Sequence, residues 1–357
     1  VEIPKDNGKM RLLGIPTVID RVVQQAINQV LSPIYENQFS KTSYGFRPRR
    51  GCHDALRGAQ RVINEGYTYV VDLDLERFFD TVSHSKFIEI LSRTIKDGRV
   101  VSLIHKYLRS GVMNKGLFEA SEEGTPQGGP LSPLLSNIML NELDKELERR
   151  GLPFVRYADD SMIFCKSKKA AMRVKASITR FIENTLYLKV NKEKTVVSYV
   201  RGVKYLGYSF YVMKGKCQLT VHPKSKDKMK SKLKELTSRS NGWGYAKRKQ
   251  KLKEYIRGWV GYYHLANMKR LLLETDEWLR RRIRMCIWKA WKKVKTKVAN
   301  LIRCGINKYQ AYEWGNTRRG YWRIADSPIL KRAIDNNKLR SAGYATLMEA
   351  YLEWYPK

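Results

Sequence analysis

The sequence of 357 residues has few cysteines, few acidic residues and no long apolar run. Its five cysteines lie far apart without a C-x-x-C pair, which argues against a zinc site or a disulfide framework and favours a reducing compartment. No apolar stretch approaches the roughly 18 residues that span a bilayer, and no signal-peptide pattern opens the chain. The five histidines are scattered without the spacing of a metal-ligand cluster. We therefore expect neither a membrane protein nor a zinc protein.

Basic residues are abundant. The chain has 69 Lys and Arg against 34 Asp and Glu, a formal net charge of +35. Such a field attracts polyanions, and nucleic acid is the expected partner. The charge is concentrated, because residues 222–300 contain 24 basic and 6 acidic residues. The sequence therefore predicts a nucleic-acid-binding protein whose most basic part lies in its C-terminal half.

The pattern of the chain changes near residue 220. Earlier residues alternate strand and helix patterns, whereas later residues show a lysine- and arginine-rich helical pattern with aromatic insertions. This predicts an α+β domain at 1–220 and a basic helical domain at 221–357 with at most three helical blocks. In the first domain, we expect Ser132 to cap a helix and Pro133 to occupy its first position. The predicted helices lie at 19–32, 52–65, 85–93, 97–109, 133–150 and 168–187.

Two adjacent carboxylates, Asp159 and Asp160, lie between the apolar strand patterns 154–157 and 162–165. This predicts a β-hairpin with both acids at its tip. Neighbouring negative charges raise each other's pKa, and a divalent cation compensates them. Carboxylate oxygens suit Mg²⁺, which binds one or two carboxylates together with substrate phosphates. The pair therefore predicts a magnesium site.

A second acidic segment contains Asp72 and Asp74, whose alternation with apolar residues places both on one face of a strand. Asp74 is expected beside the hairpin tip, although Asp72 and Asp80 compete with it. Three carboxylates from two strands can hold two Mg²⁺ ions roughly 3.5–4 Å apart, the arrangement used for in-line nucleotidyl transfer. Mn²⁺ is an expected substitute. For any single Asp, a helix cap or a solvated strand end is the structural alternative.

These motifs resemble those of bacterial group II intron-encoded reverse transcriptases. The segment 157–160 (Tyr-Ala-Asp-Asp) resembles their Y-x-D-D box, and 126–128 (Pro-Gln-Gly) resembles their P-Q-G box. Segments 257–263 and 282–289 resemble the maturase-specific domain X. The other similar segments are 43–48, 74–80, 188–195 and 205–208.

The resemblance implies an α+β right-hand polymerase, with fingers and palm of mixed or antiparallel sheet at 1–220 and an α-helical thumb, domain X, at 221–357. The sequence begins abruptly at Val1 in a strand pattern that leads into a turn, and from this start we expect that an upstream segment is missing. Because the histidines are scattered, we expect no endonuclease domain.

The resemblance resolves the competition among the acids. Asp72 and Asp80 fall at structural positions, and Phe79 matches the residue that lies under the incoming sugar and excludes a 2′-hydroxyl. Core packing is the alternative for Phe79. The metal-binding and catalytic positions are Asp74, the backbone carbonyl of Leu75, Asp159 and Asp160.

Further contacts to the incoming dNTP and the template follow from the resemblance. Lys5 and Arg11 match residues at the β- and γ-phosphates, and Lys194 matches a lysine near the pyrophosphate that can act as a general acid. The amide of Gln127 can contact a template base or sugar edge, and Gly128 permits close approach of a nucleotide. The alternatives are a solvated basic turn, a surface lysine and a plain loop.

Nucleic-acid contacts are also expected outside the catalytic motifs. Arg47 is a candidate for binding template phosphate, and a structural salt bridge is equally compatible with its position. In the thumb, Trp259 and Tyr263 are spaced as core residues, whereas the cations face outward. The thumb candidates for RNA contact are Arg282, Arg284, Lys292 and Lys293.

We therefore expect an RNA-directed DNA polymerase that copies group II intron RNA from a DNA primer with dNTPs, and that binds the intron RNA as a splicing maturase. The expected location is the bacterial cytoplasm, with the nucleoid or a ribonucleoprotein and no membrane. One alternative is another template-dependent polymerase, against which domain X argues. The other is an RNA-binding maturase with a decayed polymerase site, which the intact Asp74, Asp159 and Asp160 disfavour.

Overall fold

The computed structural model describes residues 2–4, 10–12, 14–114, 117–119, 123–124 and 128–355, with backbone only for 11–12, 112–114 and 117–119. The chain divides into two compact units. Unit 1 comprises Val1–Leu206 and Phe210–Cys217, and unit 2 comprises Gly207–Ser209 and Gln218–Lys357.

The strands are short, and most lie in unit 1. They are β1 (Glu2–Pro4), β2 (Met10–Leu12), β3 (Tyr69–Leu73), β4 (Val112–Asn114), β5 (Leu117–Glu119), β6 (Phe154–Tyr157), β7 (Asp160–Cys165), β8 (Val196–Tyr199), β9 (Tyr208–Met213) and β10 (Lys216–Val221). The helices of unit 1 are α1 (Val18–Glu36), α2 (Cys52–Asn64), α3 (His84–Thr94), α4 (Gly98–Leu108), α5 (Ser132–Arg149) and α6 (Lys168–Thr185).

A four-stranded sheet forms the centre of unit 1. Its strand order is β6-β7-β3-β8, and each neighbouring pair is antiparallel. The central strands are apolar and buried, as Val70 in β3 and Phe164 in β7 illustrate. Residues of α1, α3, α4, α5 and α6 join the strands in one hydrophobic core. This arrangement matches the predicted α+β class.

Helix α5 passes through that core, which explains its long buried face. It begins at Ser132 with Leu131 at the N-cap, and Leu131 makes no side-chain cap bond. The predicted cap at Ser132 is therefore wrong by one residue, a shift that is common at helix ends. Pro133 lies in the first turn, where its missing N–H has no helical acceptor to lose.

Unit 2 is helical beyond β10. Its helices are α7 (Pro223–Leu236), α8 (Tyr245–Tyr263), α9 (Lys269–Ala290), α10 (Val294–Arg303), α11 (Lys308–Gly315), α12 (Tyr321–Ile324), α13 (Pro328–Ala333), α14 (Asn336–Ser341) and α15 (Leu347–Leu352). The predicted limit of three helical blocks is wrong, because six shorter helices follow α9. As expected, Trp259 is buried and stacks on the half-buried Tyr263, with ring centroids 4.6 Å apart. Within the described ranges, no helix is long and apolar enough to cross a membrane.

Candidate active site

The acidic side chains lie on one face of the central sheet. Strands β3 and β7 pair with Leu73 opposite Ser161. Continuing this register by one residue places Asp74 opposite Asp160. Because facing residues and residues two apart share a face, Asp72, Asp74 and Asp160 point the same way. The two acidic segments predicted from the sequence therefore meet in space.

Asp159 lies in the tight turn between β6 and β7. Tyr157 pairs with Asp160, which leaves Ala158 and Asp159 as the turn residues. Ala158 has a left-handed backbone with φ of 57°, a conformation that costs an L-residue roughly 1–2 kcal/mol. Such a turn persists when the surrounding structure holds it.

A buried ion pair holds the turn. The Nε and Nη2 atoms of Arg156 donate to the two carboxylate oxygens of Asp144 at 2.8 and 2.5 Å, and both side chains are 0% exposed. Nη1 of Arg156 donates to the carbonyl of Ala158 at 3.0 Å and to Oδ1 of Asn137 at 2.9 Å. The guanidinium therefore connects α5 to the strained turn that carries the acids.

The turn is also packed against Gly45. A Cβ atom at position 45 would lie 2.2 Å from the backbone nitrogen of Ala158, so a larger residue does not fit. Nδ2 of Asn137 donates to the Gly45 carbonyl at 2.9 Å, and the Tyr44 N–H donates to the Arg156 carbonyl at 2.9 Å. The segment around Gly45 thus supports the acidic turn from the edge of β6.

Asp74 follows β3 and is held by the segment that precedes β8. Its N–H donates to Oγ1 of Thr195 at 3.2 Å, and its carbonyl accepts from the Asn191 N–H at 2.9 Å. Nζ of Lys194 lies 3.0 Å from Oδ2 of Asp74. The pair is ionic but lacks hydrogen-bond geometry, so this buried oxygen accepts no directed hydrogen bond. A buried carboxylate oxygen of this kind suits a metal ligand.

The carbonyl of Leu75 lies beside a short backbone pairing. Leu75 forms an isolated antiparallel bridge with Val190. The hydrogen bonds of the pairing come from the carbonyl of Asp74 and the N–H of Glu76. The pairing therefore does not use the carbonyl of Leu75, which fits its predicted role as a ligand.

Burial and like charge perturb two of the acids. Desolvation, followed by the charges of Asp160 and Asp74, raises the pKa of Asp72 to about 6. Desolvation, followed by the charges of Asp159 and Asp74, raises the pKa of Asp160 to about 6. The cluster therefore holds more negative charge than the protein compensates, which is the condition that a bound cation relieves.

The donor set fits a hard divalent cation, because its atoms are carboxylate and carbonyl oxygens. In the part of the chain that the structure describes, no group of three or more His, Cys, Asp or Glu side chains is arranged to hold an ion. Mg²⁺ commonly takes one or two carboxylates and completes its shell with water and substrate phosphates. The residues at Asp74 and Asp160 are compatible with that mode.

Phe79 lies in a short 3₁₀ helix, Phe78–Asp80, that follows Asp74. The helix starts from Arg77, whose φ of 47° is left-handed, and Oγ1 of Thr81 donates to two carbonyls of the preceding turn at 3.3 Å. The rings of Phe78 and Phe79 meet edge to face at 5.3 Å. Phe79 is half-buried, and its predicted contact with a sugar stays a prediction.

Several predicted nucleotide contacts lie outside the described residues. These are Lys5, Gln127 and the side chain of Arg11. Gly128 is described, and a Cβ atom there would lie 2.2 Å from the Gly14 carbonyl. Packing within the protein therefore explains this glycine, and its approach to a nucleotide stays a prediction.

Two arginines predicted to bind nucleic acid lie inside the protein. Arg47 is buried, and its Nη2 contacts Oε1 of Glu36 at 2.7 Å. Arg284 is 6% exposed and donates to the Ile334 carbonyl at 2.8 Å and to Oδ1 of Asn336 at 3.0 Å. Both predictions are wrong, because these guanidinium groups bind protein acceptors. For Arg47, the structural salt bridge is the correct alternative.

The remaining thumb candidates separate into two kinds. Arg282 is half-buried and donates to Oγ1 of Thr237 at 2.6 Å and to the Lys234 carbonyl at 3.1 Å. These bonds hold the guanidinium at the end of α7, and its predicted RNA contact stays a prediction. Lys292 and Lys293 are exposed, and they remain candidates for RNA contact.

The residues that support the acidic turn, Arg156, Asp144 and Asn137, were not predicted from the sequence. Arg156 was a usable signal, because a charged residue inside an apolar strand pattern needs a buried partner. Its partner Asp144 and the amide of Asn137 lie in a helix whose register with β6 no local pattern reveals. Asp72, assigned a structural position, belongs electrostatically to the acidic cluster.

Residues 3–210 match the family model described as reverse transcriptase (RNA-dependent DNA polymerase). The chain belongs to this family. Residues 226–305 match the maturase-specific domain of group II introns. The predicted resemblance to group II intron-encoded reverse transcriptases and the right-hand polymerase fold are therefore confirmed. Reverse transcriptases generally use divalent metal ions.

Two curated relatives show the same likeness. Protein YkfC of Escherichia coli K12 is 37% identical over 247 residues, which are 58% of this chain and 65% of that protein. The group II intron-encoded protein LtrA of Lactococcus lactis is 32% identical over 273 residues, which are 58% of this chain and 45% of that protein. The match thus spans about half to two thirds of these relatives.

Among solved structures, a telomerase from Candida Tropicalis in complex with a telomeric RNA fragment aligns with 99% of this reverse transcriptase and 63% of its own chain. The TM-score is 0.48 and the identity is 14%.

Proposed function

We propose that this reverse transcriptase is an RNA-directed DNA polymerase that copies group II intron RNA into cDNA. The observation that carries the proposal is the convergence of Asp74 and Asp160 on one face of the sheet, with Asp159 in the adjoining turn. The match of residues 3–210 to the reverse transcriptase family supports the same reaction. The net charge of +35 suits a nucleic-acid substrate.

In this proposal Asp74, Asp159, Asp160 and the carbonyl of Leu75 hold two Mg²⁺ ions, for which Mn²⁺ substitutes. Bound ions of this kind activate an attacking hydroxyl and neutralise charge on the leaving group. The buried Oδ2 of Asp74, which accepts no directed hydrogen bond, supports its role as a ligand.

Lys194 has a separate role. Its ammonium group lies 3.0 Å from Asp74 and is 67% exposed, so it borders both the acids and the solvent. From that position it can give a proton to departing pyrophosphate, as a general acid does.

The substrates we propose are dNTPs, a DNA primer and an RNA template. Lys5 and Arg11 neutralise the β- and γ-phosphates of the dNTP. Gln127 and Gly128 contact the nascent base pair, and Phe79 contacts the sugar. These roles rest on the motifs of the sequence.

We also propose that the protein binds intron RNA as a splicing maturase. The match of residues 226–305 to the maturase-specific domain favours this second function. Residues 222–300 carry 24 basic and 6 acidic residues, and Lys292 and Lys293 are exposed among them. Residues 1–220 then form the fingers and palm, and residues 221–357 form the thumb and domain X. We also propose that the protein lies in the bacterial cytoplasm, associated with the nucleoid or with a ribonucleoprotein.

Primer extension with dNTPs and Mg²⁺ tests the polymerase. Wild-type protein should extend a DNA primer on an RNA template, and Asp159→Ala should abolish extension. Asp227→Ala changes an exposed aspartate of α7 and serves as the matched control. Extension on DNA templates with none on RNA would indicate another template-dependent polymerase. Specific intron RNA binding without any nucleotide incorporation would indicate a maturase whose polymerase site is inactive.

A further inference from the structure

Gly124 is packed against the turn that carries Phe79. A Cβ atom at position 124 would lie 2.7 Å from the Phe79 carbonyl and 2.9 Å from Cα of Asp80. The Gly124 backbone has φ of 90°, and its N–H donates to the Val82 carbonyl at 2.8 Å. Gly124 is therefore joined to the Phe79 turn by backbone contact.

A buried histidine holds Gly124 from the other side. His84, the first residue of α3, is 6% exposed, and its Nε2 lies 2.6 Å from the Gly124 carbonyl. Because a carbonyl can only accept, Nε2 carries the proton of this hydrogen bond. The His105 ring packs edge-on against the imidazole at 6.4 Å, and Ser83 caps the helix through the N–H of Lys86. The imidazole is thus fixed in place.

We propose that this clasp, formed by His84 and Gly124, sets the position of Phe79 and thereby determines how strongly the enzyme rejects ribonucleotides. The inference rests on the proposed function, in which Phe79 contacts the sugar. His84 and Gly124 are positioning residues, since they act through the Phe79 backbone and not on the substrate.

Small displacements of Phe79 are sufficient to change the selection of the sugar. Steric rejection of one hydroxyl group depends on where a rigid ring lies, and a shift of about 1 Å in a positioned group can cost 10²-fold in rate. The Phe79 backbone cannot move towards position 124 while Gly124 is held there by His84 and Val82. Losing the His84 bond releases Gly124, and adding a Cβ at 124 pushes the Phe79 turn directly.

A general contribution to folding would have a different signature. Loss of stability lowers the amount of active enzyme, and it therefore lowers incorporation of dNTPs and rNTPs by the same factor. A displaced Phe79 changes the ratio of the two. The ratio of kcat/KM for a dNTP to that for the matching rNTP therefore separates the two explanations.

The test compares three variants by single-nucleotide incorporation on an RNA template. His84→Asn shortens the side chain so that it no longer reaches the carbonyl, and Gly124→Ala adds the Cβ. Each should shift the ratio towards ribonucleotides by at least about fivefold. His84→Gln retains an amide donor at the reach of Nε2 and should keep the wild-type ratio.

A matched control is available in the same unit. Gly66 has φ of 93°, close to that of Gly124, and a Cβ there would meet nothing within 4 Å. Gly66→Ala therefore introduces the same backbone strain without the contact, and the ratio should not change. A ratio unchanged in both His84→Asn and Gly124→Ala would overturn the inference. Where one of these variants does not fold, the other decides.

The variant Phe79→Val tests the sugar contact of Phe79 separately from the role of the clasp. A shifted ratio in Phe79→Val with unchanged ratios in the clasp variants means that the sugar contact is right and the clasp is wrong. An unchanged ratio in Phe79→Val means that Phe79 does not select the sugar, which removes the basis of the inference. Shifted ratios in Phe79→Val, His84→Asn and Gly124→Ala, together with a wild-type ratio in His84→Gln, support it.

Discussion

Arg156 and Asp144 form an ion pair to which solvent has no access, 12 residues apart in the chain. The same guanidinium donates to the carbonyl of Ala158, which lies between β6 and the acidic residues Asp159 and Asp160. A buried pair contributes little net stability compared with apolar residues, but removing one partner leaves an uncompensated buried charge. The pair therefore orients the turn and makes its environment intolerant of single substitutions.

Arg156→Met should lower the free energy of unfolding by about 3–5 kcal/mol, because Asp144 is left charged and buried. The double variant Arg156→Met with Asp144→Leu should recover a large part of that loss, although the Ala158 carbonyl still lacks its donor. Equilibrium unfolding in urea measures both. Additive effects of the two single substitutions would contradict the coupling.

The acidic cluster should make the metal-free protein less stable as the pH rises. The pKa of Asp160 is raised to about 6, against about 3.9 for an unfolded aspartate. Between these values the folded state binds more protons than the unfolded state, so stability falls as the pH increases from about 4 to 6 and stays low above that.

Asp160→Asn should therefore raise the melting temperature by a few degrees at pH 8 and have little effect near pH 3.5, where the aspartate is largely protonated in both states. Thermal unfolding in EDTA measures this difference. Added Mg²⁺ should stabilise the wild type at pH 8 more than the variant, because it relieves the same repulsion. An equal rise in melting temperature at both pH values would show that burial and neighbouring charges do not destabilise the Asp160 carboxylate.

Local sequence patterns were sufficient to predict where the acidic residues lie in the fold. Asp159 and Asp160 interrupt an apolar hairpin pattern, and the alternation around Asp72 and Asp74 predicts one shared face, which the register of β3 and β7 bears out. These predictions depend on residues close in sequence. Period-2 alternation and turn signals carry that information.

The contacts of individual basic side chains could not be predicted in the same way. Arg284 donates to Ile334, 50 residues away, and Arg47 contacts Glu36 on another element. A basic residue in a helical pattern looks the same whether its head group meets solvent or a distant carbonyl. Partners of this kind depend on tertiary packing, so Arg282 and Arg284 were indistinguishable from Lys292 and Lys293.

Lys194 should act in the chemical step. Replacing it with Gln removes the proton donor and should lower kcat for dNTP incorporation by about 10²–10⁴, the usual contribution of a general acid, with a smaller effect on KM. Lys192→Gln removes an exposed lysine two residues away and is the matched control. Rapid-quench incorporation as a function of pH measures the effect. If the two variants have the same kcat, Lys194 is an ordinary surface lysine without a role in the chemical step.

Lys292 and Lys293 should bind RNA through phosphate. Their exposed head groups can release condensed counterions when RNA binds, so the double substitution to Gln should reduce the slope of log K against log salt by about 1.4–1.8, or 0.7–0.9 per contact. Filter binding of intron RNA between 50 and 200 mM salt measures the slope. Lys168→Gln with Lys169→Gln removes the same charge from an exposed pair at the start of α6 and should leave the slope nearly unchanged. Equal changes from both pairs would mean that binding follows net charge, and the thumb would then hold no defined RNA contact at this position.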